Sequence, residues 1–388
     1  MTTIIESLQN HYEEMVAIRR YLHERPELSF QEIHTPAYIA NFYKELGGFE
    51  VREQVGERGV VATLKTNKPG RTIALRADFD ALAIDEQTDV PYKSKNPGVM
   101  HACGHDGHTA TLLVLAKVLK QHIEQLQGTI VFIHQHAEEL APGGALAMIE
   151  DGCLEGVDEI YGAHLWAPLE LGTVNYLEGP IMAAADRFEV KIQGKGGHGA
   201  EPHEAIDAIL VGAQYVNQVQ SIVARSVDPL QSSVISIGHF AAINPFNVIA
   251  DTVLLKGTVR TFSEQVREQI KEKLEQVLSG VCTAYGATYQ YEYVEGYPPV
   301  INHQVNTAYV VEAIQKVDSL QAVQCAPMMI GEDFAYYLQH VPGSFFFVGA
   351  KDATASTQYP HHHAKFNFDE QSLLHTASIF THILSERL

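Results

Sequence analysis

Basic side chains are scarce in this 388-residue sequence: 27 Lys and Arg stand against 47 Asp and Glu, a formal net charge of -20 at pH 7. No basic stripe offsets that balance locally, so phosphate backbones and anionic lipid are repelled, and neither nucleic acid nor a membrane is expected as a partner. Cysteine is sparse as well. The four residues Cys103, Cys153, Cys282 and Cys325 lie far apart, which argues against a disulfide scaffold and suits a reducing cytoplasm. No apolar run approaches the length that spans a bilayer. The opening MTTIIESLQNHYEEMVAIRRYL lacks the charged, apolar and small-residue zones of a secretory signal, so a cytoplasmic location is expected. Low-complexity tracts and long-period repeats are missing too.

What is present is the composition of an ordinary globular chain: 46% hydrophobic, 19% charged and 29 Gly spread throughout. A length of 388 residues exceeds one comfortable core and predicts two domains. Helical spacing of apolar residues covers 4–22 and 35–46, the latter stopped by Gly47-Gly48. Short apolar runs at 72–77, 129–133 and 159–163 read as strands, with helical segments at 109–121 and 144–150 between them. This alternation predicts an α/β layer with a mixed, largely parallel sheet flanked by helices. Within 183–297 the texture changes to strand (187–193), helix (203–224), two strands (232–240 and 251–262), helix (264–285) and strand (288–294). That β-α-β-β-α-β order is ferredoxin-like and reads as an inserted α+β domain. Residues 1–182 and 298–388 then form the first domain, which resumes with a helix at 307–316, a strand at 344–348 and a last helix from 370.

Each strand of the first domain runs into ionisable residues: Asp78 and Asp80 after the first, Glu138 and Glu139 after the second, His164 after the third. In open α/β sheets the ligand crevice lies beyond the carboxyl ends of the strands, so these groups can meet. The segment MHACGHDGH, residues 100–108, adds Cys103, His105, Asp106 and His108, and the distant cluster His361-His362-His363 adds more imidazoles. Thiolate and imidazole favour zinc and neighbouring transition metals. Adjacent acids at a strand end point in different directions, so one can bind metal while the other faces water. Taken singly, each segment has a bland reading as a buried thiol, a solvated turn or a structural histidine. Taken together they suit two metal ions sharing one of five ligands, a pair that activates water and polarises a carbonyl.

These residues carry a resemblance. LHERPELSFQE, RADFDAL, MHACGHDGH, QHAEE, GAHLW, GKGGHGAEPH, GTVRTF, GEDFA and HHHAKFNFDE span nearly the whole chain, and in this order the sequence resembles the aminoacylase-like two-metal amidohydrolases and metallopeptidases. The branch that includes hippurate hydrolase and the hydrolases of indole-acetyl amino acids is the most similar. The resemblance implies that Cys103 bridges two divalent ions (Zn, Mn, Co or Ni), with Glu139 and His362 completing one site and His105 and His164 the other. His362 is preferred to its neighbours because the family's ligand histidine stands four residues before the phenylalanine, here Phe366. Glu138 resembles the general base and Asp80 a carboxylate that orients a ligand. The inserted domain resembles a lid that also carries a homodimer interface, with His198 donating to the oxyanion and Asn247 touching substrate. Departures from the usual pattern are His136, Ala83 and Ala364, each where the branch has proline; none removes a proposed ligand.

The activity so implied is metal-dependent cleavage of the amide bond of N-acyl amino acids, a small-molecule amide substrate. Three rivals stay open on sequence: a dipeptidase or aminopeptidase of the same superfamily, an inactive metal-binding regulator, and a cysteine hydrolase using Cys103 with His105.

Overall fold

A core of apolar runs, extended by more polar edge strands, builds one eight-stranded sheet: β1 (Glu50–Val55), β2 (Gly59–Lys65), β3 (Thr72–Asp78), β4 (Thr129–Gln135), β5 (Glu159–Glu170), β6 (Thr173–Tyr176), β7 (Gln321–Gln324) and β8 (Gly343–Lys351). The computed structural model describes residues 2–352 and 359–388. The strand order is β1-β2-β4-β3-β5-β8-β6-β7. The β4/β3, β3/β5, β5/β8 and β6/β7 pairs are parallel, and β1/β2, β2/β4 and β8/β6 are antiparallel. Strands β3, β4 and β8 are buried almost end to end, as expected where helices cover both faces of a parallel sheet. The sheet belongs to a unit formed by Met1–Ile181, Ile301–Ala326 and Asp333–Leu388.

Helices α1 (Thr2–Asn10), α2 (Tyr12–His23), α3 (His34–Leu46) and α4 (His105–Gln121) pack in this unit. The periodic stretch 4–22 is therefore two helices, interrupted at His11, whose backbone (φ -101, ψ 9) leaves the helical path. Apolar spacing carries through such a kink and hides it. Helix α4 buries Leu112, Leu113, Val114, Leu115, Val118 and Leu119, apolar around its circumference because elements pack on every side. It starts at His105, four residues before the start at 109 expected from the sequence. Gly104 makes this possible with φ 102, a left-handed turn that delivers the chain into the helix.

Strands β1 and β2 were not legible in the pattern. β1 is an edge strand of mostly exposed polar residues, EVREQV, and its register with β2 slips between Arg52 and Val55, which destroys simple alternation. β5 also runs seven residues beyond 163, because its second half pairs with β8 as far as Glu170. His164 thus lies within a strand, opposite Phe347.

A second unit takes in Met182–Val300 and Pro327–Glu332. Its four-stranded sheet has the order Ser233–Ala241, Thr252–Thr261, Ala184–Gln193, Thr288–Val294, antiparallel throughout. Helices Ala208–Arg225 and Glu264–Tyr285 share a core with these strands through Val211, Tyr215, Ile270 and Leu274. The β-α-β-β-α-β order of the sequence reading is found here. The first helix begins at Ala208 rather than 203, since the Asp207 side chain accepts the N–H of Ile209 and Leu210 and so fixes the N-terminus. Among the described residues no helix is long and apolar enough to cross a membrane.

Candidate metal centre

The exits of β3 and β4 and the start of α4 meet at Asp80. Its Oδ1 accepts from His105 Nδ1 at 3.0 Å, and its Oδ2 accepts from Ser29 Oγ at 2.7 Å and from the Glu139 N–H at 3.0 Å. Burial opposes ionisation, but the His105 hydrogen bond and charge hold this carboxyl below its ordinary range. With Nδ1 committed to Asp80, His105 presents Nε2 to the centre. That atom is buried and has no hydrogen-bond partner among the described residues. It lies 3.8 Å from Glu139 Oε1 and 3.9 Å from Glu138 Oε2.

The same commitment recurs at His164, whose Nδ1 donates to the Leu165 carbonyl at 2.6 Å while Nε2 faces Cys103 Sγ at 3.3 Å. His362 holds a left-handed backbone (φ 65), its N–H donates to the Ala102 carbonyl at 2.8 Å, and its Nε2 stands 3.2 Å from Glu139 Oε1. Cys103, His105 and Glu139 place one ligand atom each within 4.8 Å of one another. All five residues assigned as ligands from sequence, together with Glu138 and Asp80, are therefore neighbours in one place.

Two other imidazoles of the same motifs, His108 and His361, have both ring nitrogens occupied. His108 donates from Nδ1 to Asp78 Oδ1 at 2.6 Å and accepts the Leu165 N–H on Nε2 at 2.9 Å. His361 accepts the Ala167 N–H on Nε2 at 3.0 Å and donates from Nδ1 to the Cys103 carbonyl at 3.1 Å. Both tie the Cys103 loop to β5. Behind them lies a network that sequence reasoning missed. Arg76 bonds Asp78 and Asp333, and Gln135 donates to Asp333, which also accepts the Ala145 N–H. Asp333 thereby fastens the ends of β3 and β4. The GEDFA motif was its only signal.

Without a cation the centre is overloaded with carboxylate. Burial would lower the His105 pKa, yet Asp78, Asp80 and Glu139 drive it up to about 10. Burial, then Glu139 and Glu138, push the Cys103 thiol well above its ordinary value. A nucleophilic cysteine needs the reverse, an electropositive setting that favours thiolate. Burial, followed by His108 and His361, holds His164 well below its usual range, leaving it neutral. The residues fit a cation pair: a neutral imidazole at His164, an excess of negative charge for a cation to balance, and two buried atoms without a hydrogen-bond partner among the described residues, His105 Nε2 and Glu139 Oε1.

The buried neutral histidines set an acid limit on stability. Burial depresses His134 and His361 to about 3 and His101 and His136 to about 4. Freed in the unfolded chain they bind protons below roughly pH 6.5. The unfolded state then carries more protons, so stability falls as the pH drops from there towards 4. Glu32, raised to about 8 chiefly by burial, is protonated when folded and works against this trend, without cancelling four histidines. With His164, also held neutral, unfolding of the chelated protein at pH 5 is expected to take up roughly four protons. Calorimetry in buffers of different ionisation enthalpy counts them, and an uptake near zero would contradict these assignments.

His198 and Asn247 belong to the second unit. They are neighbours there: Val248 pairs with His198, the Gly199 N–H donates to the Asn247 carbonyl at 2.9 Å, and both residues line one cleft with Asn244. His198 is exposed, and its Nδ1 accepts the Ala200 N–H at 3.1 Å.

A parallel-centred α/β sheet whose strand exits gather thiol, imidazole and carboxylate in this way is the frame of a metal-dependent hydrolase. The model of Peptidase family M20/M25/M40 matches residues 74–386, and the chain belongs to that family. It is 48% identical over 290 residues to an N-acyl-L-amino acid amidohydrolase of Geobacillus stearothermophilus, covering 75% of this chain and 78% of that one. It is 43% identical over 375 residues to an N-acetyl-L-cysteine deacetylase of Bacillus subtilis, covering 97% and 88%. Among solved structures it is similar to the Bacillus subtilis protein YXEP, described as a dinuclear metal binding peptidase, with a TM-score of 0.85, 35% identity and coverage of 98% and 100%. The protein is accordingly a metal-dependent enzyme of the amidohydrolase and peptidase kind.

Proposed function

We propose that the protein hydrolyses the amide bond of N-acyl amino acids, with Glu138 as general base. The observation that carries this reading is the shared ring orientation of His105 and His164. Each spends Nδ1–H on a protein oxygen and turns Nε2 towards Cys103 and the Glu138-Glu139 pair. Cys103 would bridge two divalent cations, with Glu139 and His362 on one and His105 and His164 on the other. Bound there, the pair supplies a lowered water pKa and polarisation of the scissile carbonyl. Thiolate and imidazole suit Zn, Co or Ni, and the mixed donor set also admits Mn.

The chain's own groups do the rest. Glu138, only 7% exposed, takes a proton from the attacking water and delivers it to the departing nitrogen. Asp80 holds the His105 ring and the Glu139 backbone in register. From the family resemblance, the second unit is read as lid and homodimer interface, His198 as donor to the developing oxyanion and Asn247 as a substrate contact. A cytoplasmic setting agrees with four free cysteines.

What supports the N-acyl class is the pair of relatives whose names specify N-acetyl-L-cysteine and N-acyl-L-amino acids. On a panel of N-acetyl and N-benzoyl amino acids and unblocked dipeptides, kcat/KM is expected to favour the acylated substrates by about 100-fold, as expected where a site excludes an unmatched ammonium. A preference for dipeptides would transfer the protein to the dipeptidase reading.

A further inference from the structure

The motif LHERPELSFQE lies outside the ligand set, yet its side chains reach the catalytic loop. Glu27 accepts the N–H groups of Ile33, His34 and Thr35 and so caps α3, fixing the backbone that leads into it. Ser29 donates to Asp80. Glu32 is 1% exposed, and its Oε1 accepts the N–H of Ala137 at 2.9 Å. Its own carbonyl accepts Arg58 Nη1 at 2.7 Å, which holds the residue from the other side.

Ala137 is the pivot. It immediately precedes Glu138 and has φ 52, a left-handed conformation that a residue with a Cβ seldom holds unless its surroundings impose it. Three backbone groups of the turn are gripped: the Ala137 N–H by Glu32, the Ala137 carbonyl by the Gly144 N–H at 3.2 Å, and the Glu139 N–H by Asp80. Gly144 permits its contact by lacking a Cβ, which would come within 2.1 Å of the His136 carbonyl oxygen.

We propose that Glu32 is a positioning residue for the reaction: by accepting the Ala137 N–H it holds the left-handed turn that presents Glu138 and Glu139 to the centre. The inference rests on the roles given above to those two acids. Without the acceptor, a buried N–H is left unpaired and Ala137 relaxes towards negative φ, which rotates the peptide leading into Glu138. The contact runs from one N–H to one carboxyl oxygen, and an amide oxygen of the same reach can make it as well.

The test compares Glu32→Gln with Glu32→Met, side chains of similar size of which only Gln offers an acceptor. In metal-loaded protein, Glu32→Met is expected to lose about 100-fold in kcat, the scale of a misplaced catalytic group, with KM nearly unchanged. Glu32→Gln recovers most of that rate. Hydrogen exchange of the peptide over 134–140 gives a readout independent of turnover. Protection of the Ala137 amide is lost in Glu32→Met and kept in Glu32→Gln. Where the Met variant does not fold, Glu32→Asp, one methylene too short to reach, takes its place. Unchanged exchange and kcat in Glu32→Met, or a Gln variant as impaired as Met, would overturn the proposal. A wild-type protein inert towards N-acyl amino acids would sink the N-acyl substrate reading alone, because the exchange experiment needs no substrate.

Discussion

Glu138→Gln is expected to keep its full complement of bound metal and to lose about 10²- to 10⁴-fold in kcat, the range over which a positioned acid-base group acts. The substitution preserves volume and leaves a carbonyl oxygen in place, so any loss reports the missing proton acceptor. Glu138 has the required setting. It is buried, it leaves the same strand end as Glu139, and its Oε2 lies 3.9 Å from His105 Nε2. Its backbone is fixed on both sides, by Glu32 through Ala137 and by Asp80 through Glu139. Metal analysis of the purified variant separates the two acids, since Glu139→Gln is expected to lose metal as well as turnover. Undiminished hydrolysis by Glu138→Gln would remove Glu138 from the mechanism.

Chelation is expected to abolish hydrolysis, by about 10³-fold or more where metal-activated water is the nucleophile, and re-addition of Zn²⁺, Mn²⁺, Co²⁺ or Ni²⁺ to restore it. This outcome divides the readings left open by the sequence. A cysteine hydrolase built on Cys103 and His105 would ignore chelators and yield to thiol alkylation. The environment disfavours it, because burial and two neighbouring carboxylates keep the Cys103 thiol protonated until a cation neutralises them. An inactive metal-binding regulator would take up the same ions and hydrolyse nothing. Metal that binds the folded chain and not the unfolded one also raises the melting temperature with its concentration. A shift lost in Cys103→Ser and His105→Ala ties the stabilisation to these residues.

Much of the centre was legible because strand exits concentrate ligands. The runs at 72–77 and 129–133 end next to Asp80 and the Glu138-Glu139 pair, and a parallel sheet sends such ends to one rim. What the sequence could not disclose was which imidazoles have a lone pair to give. His105 and His108 sit three residues apart in one motif, as alike in sequence as His361 and His362. They differ because His108 and His361 have both ring nitrogens occupied by backbone and Asp78, partners supplied only by tertiary contact. The supporting carboxylates escaped for the same reason. Asp333 and Glu32 lie far along the chain from the loops they fasten, and nothing in local spacing links Glu32 to an N–H at Ala137. In the fold, the edge strand β1 stayed hidden because its residues are mostly polar and its register slips, whereas the apolar run 345–348 of β8 announced itself.

Diffraction from metal-loaded crystals, collected at the absorption edge of the added ion, tests the arrangement most directly. Two anomalous peaks are expected on either side of Cys103 Sγ, one at about 2.0–2.3 Å from donor atoms of Glu139 and His362 and the other at that distance from His105 and His164. A single ion, or ions held by Asp78 and His108 instead, would contradict it.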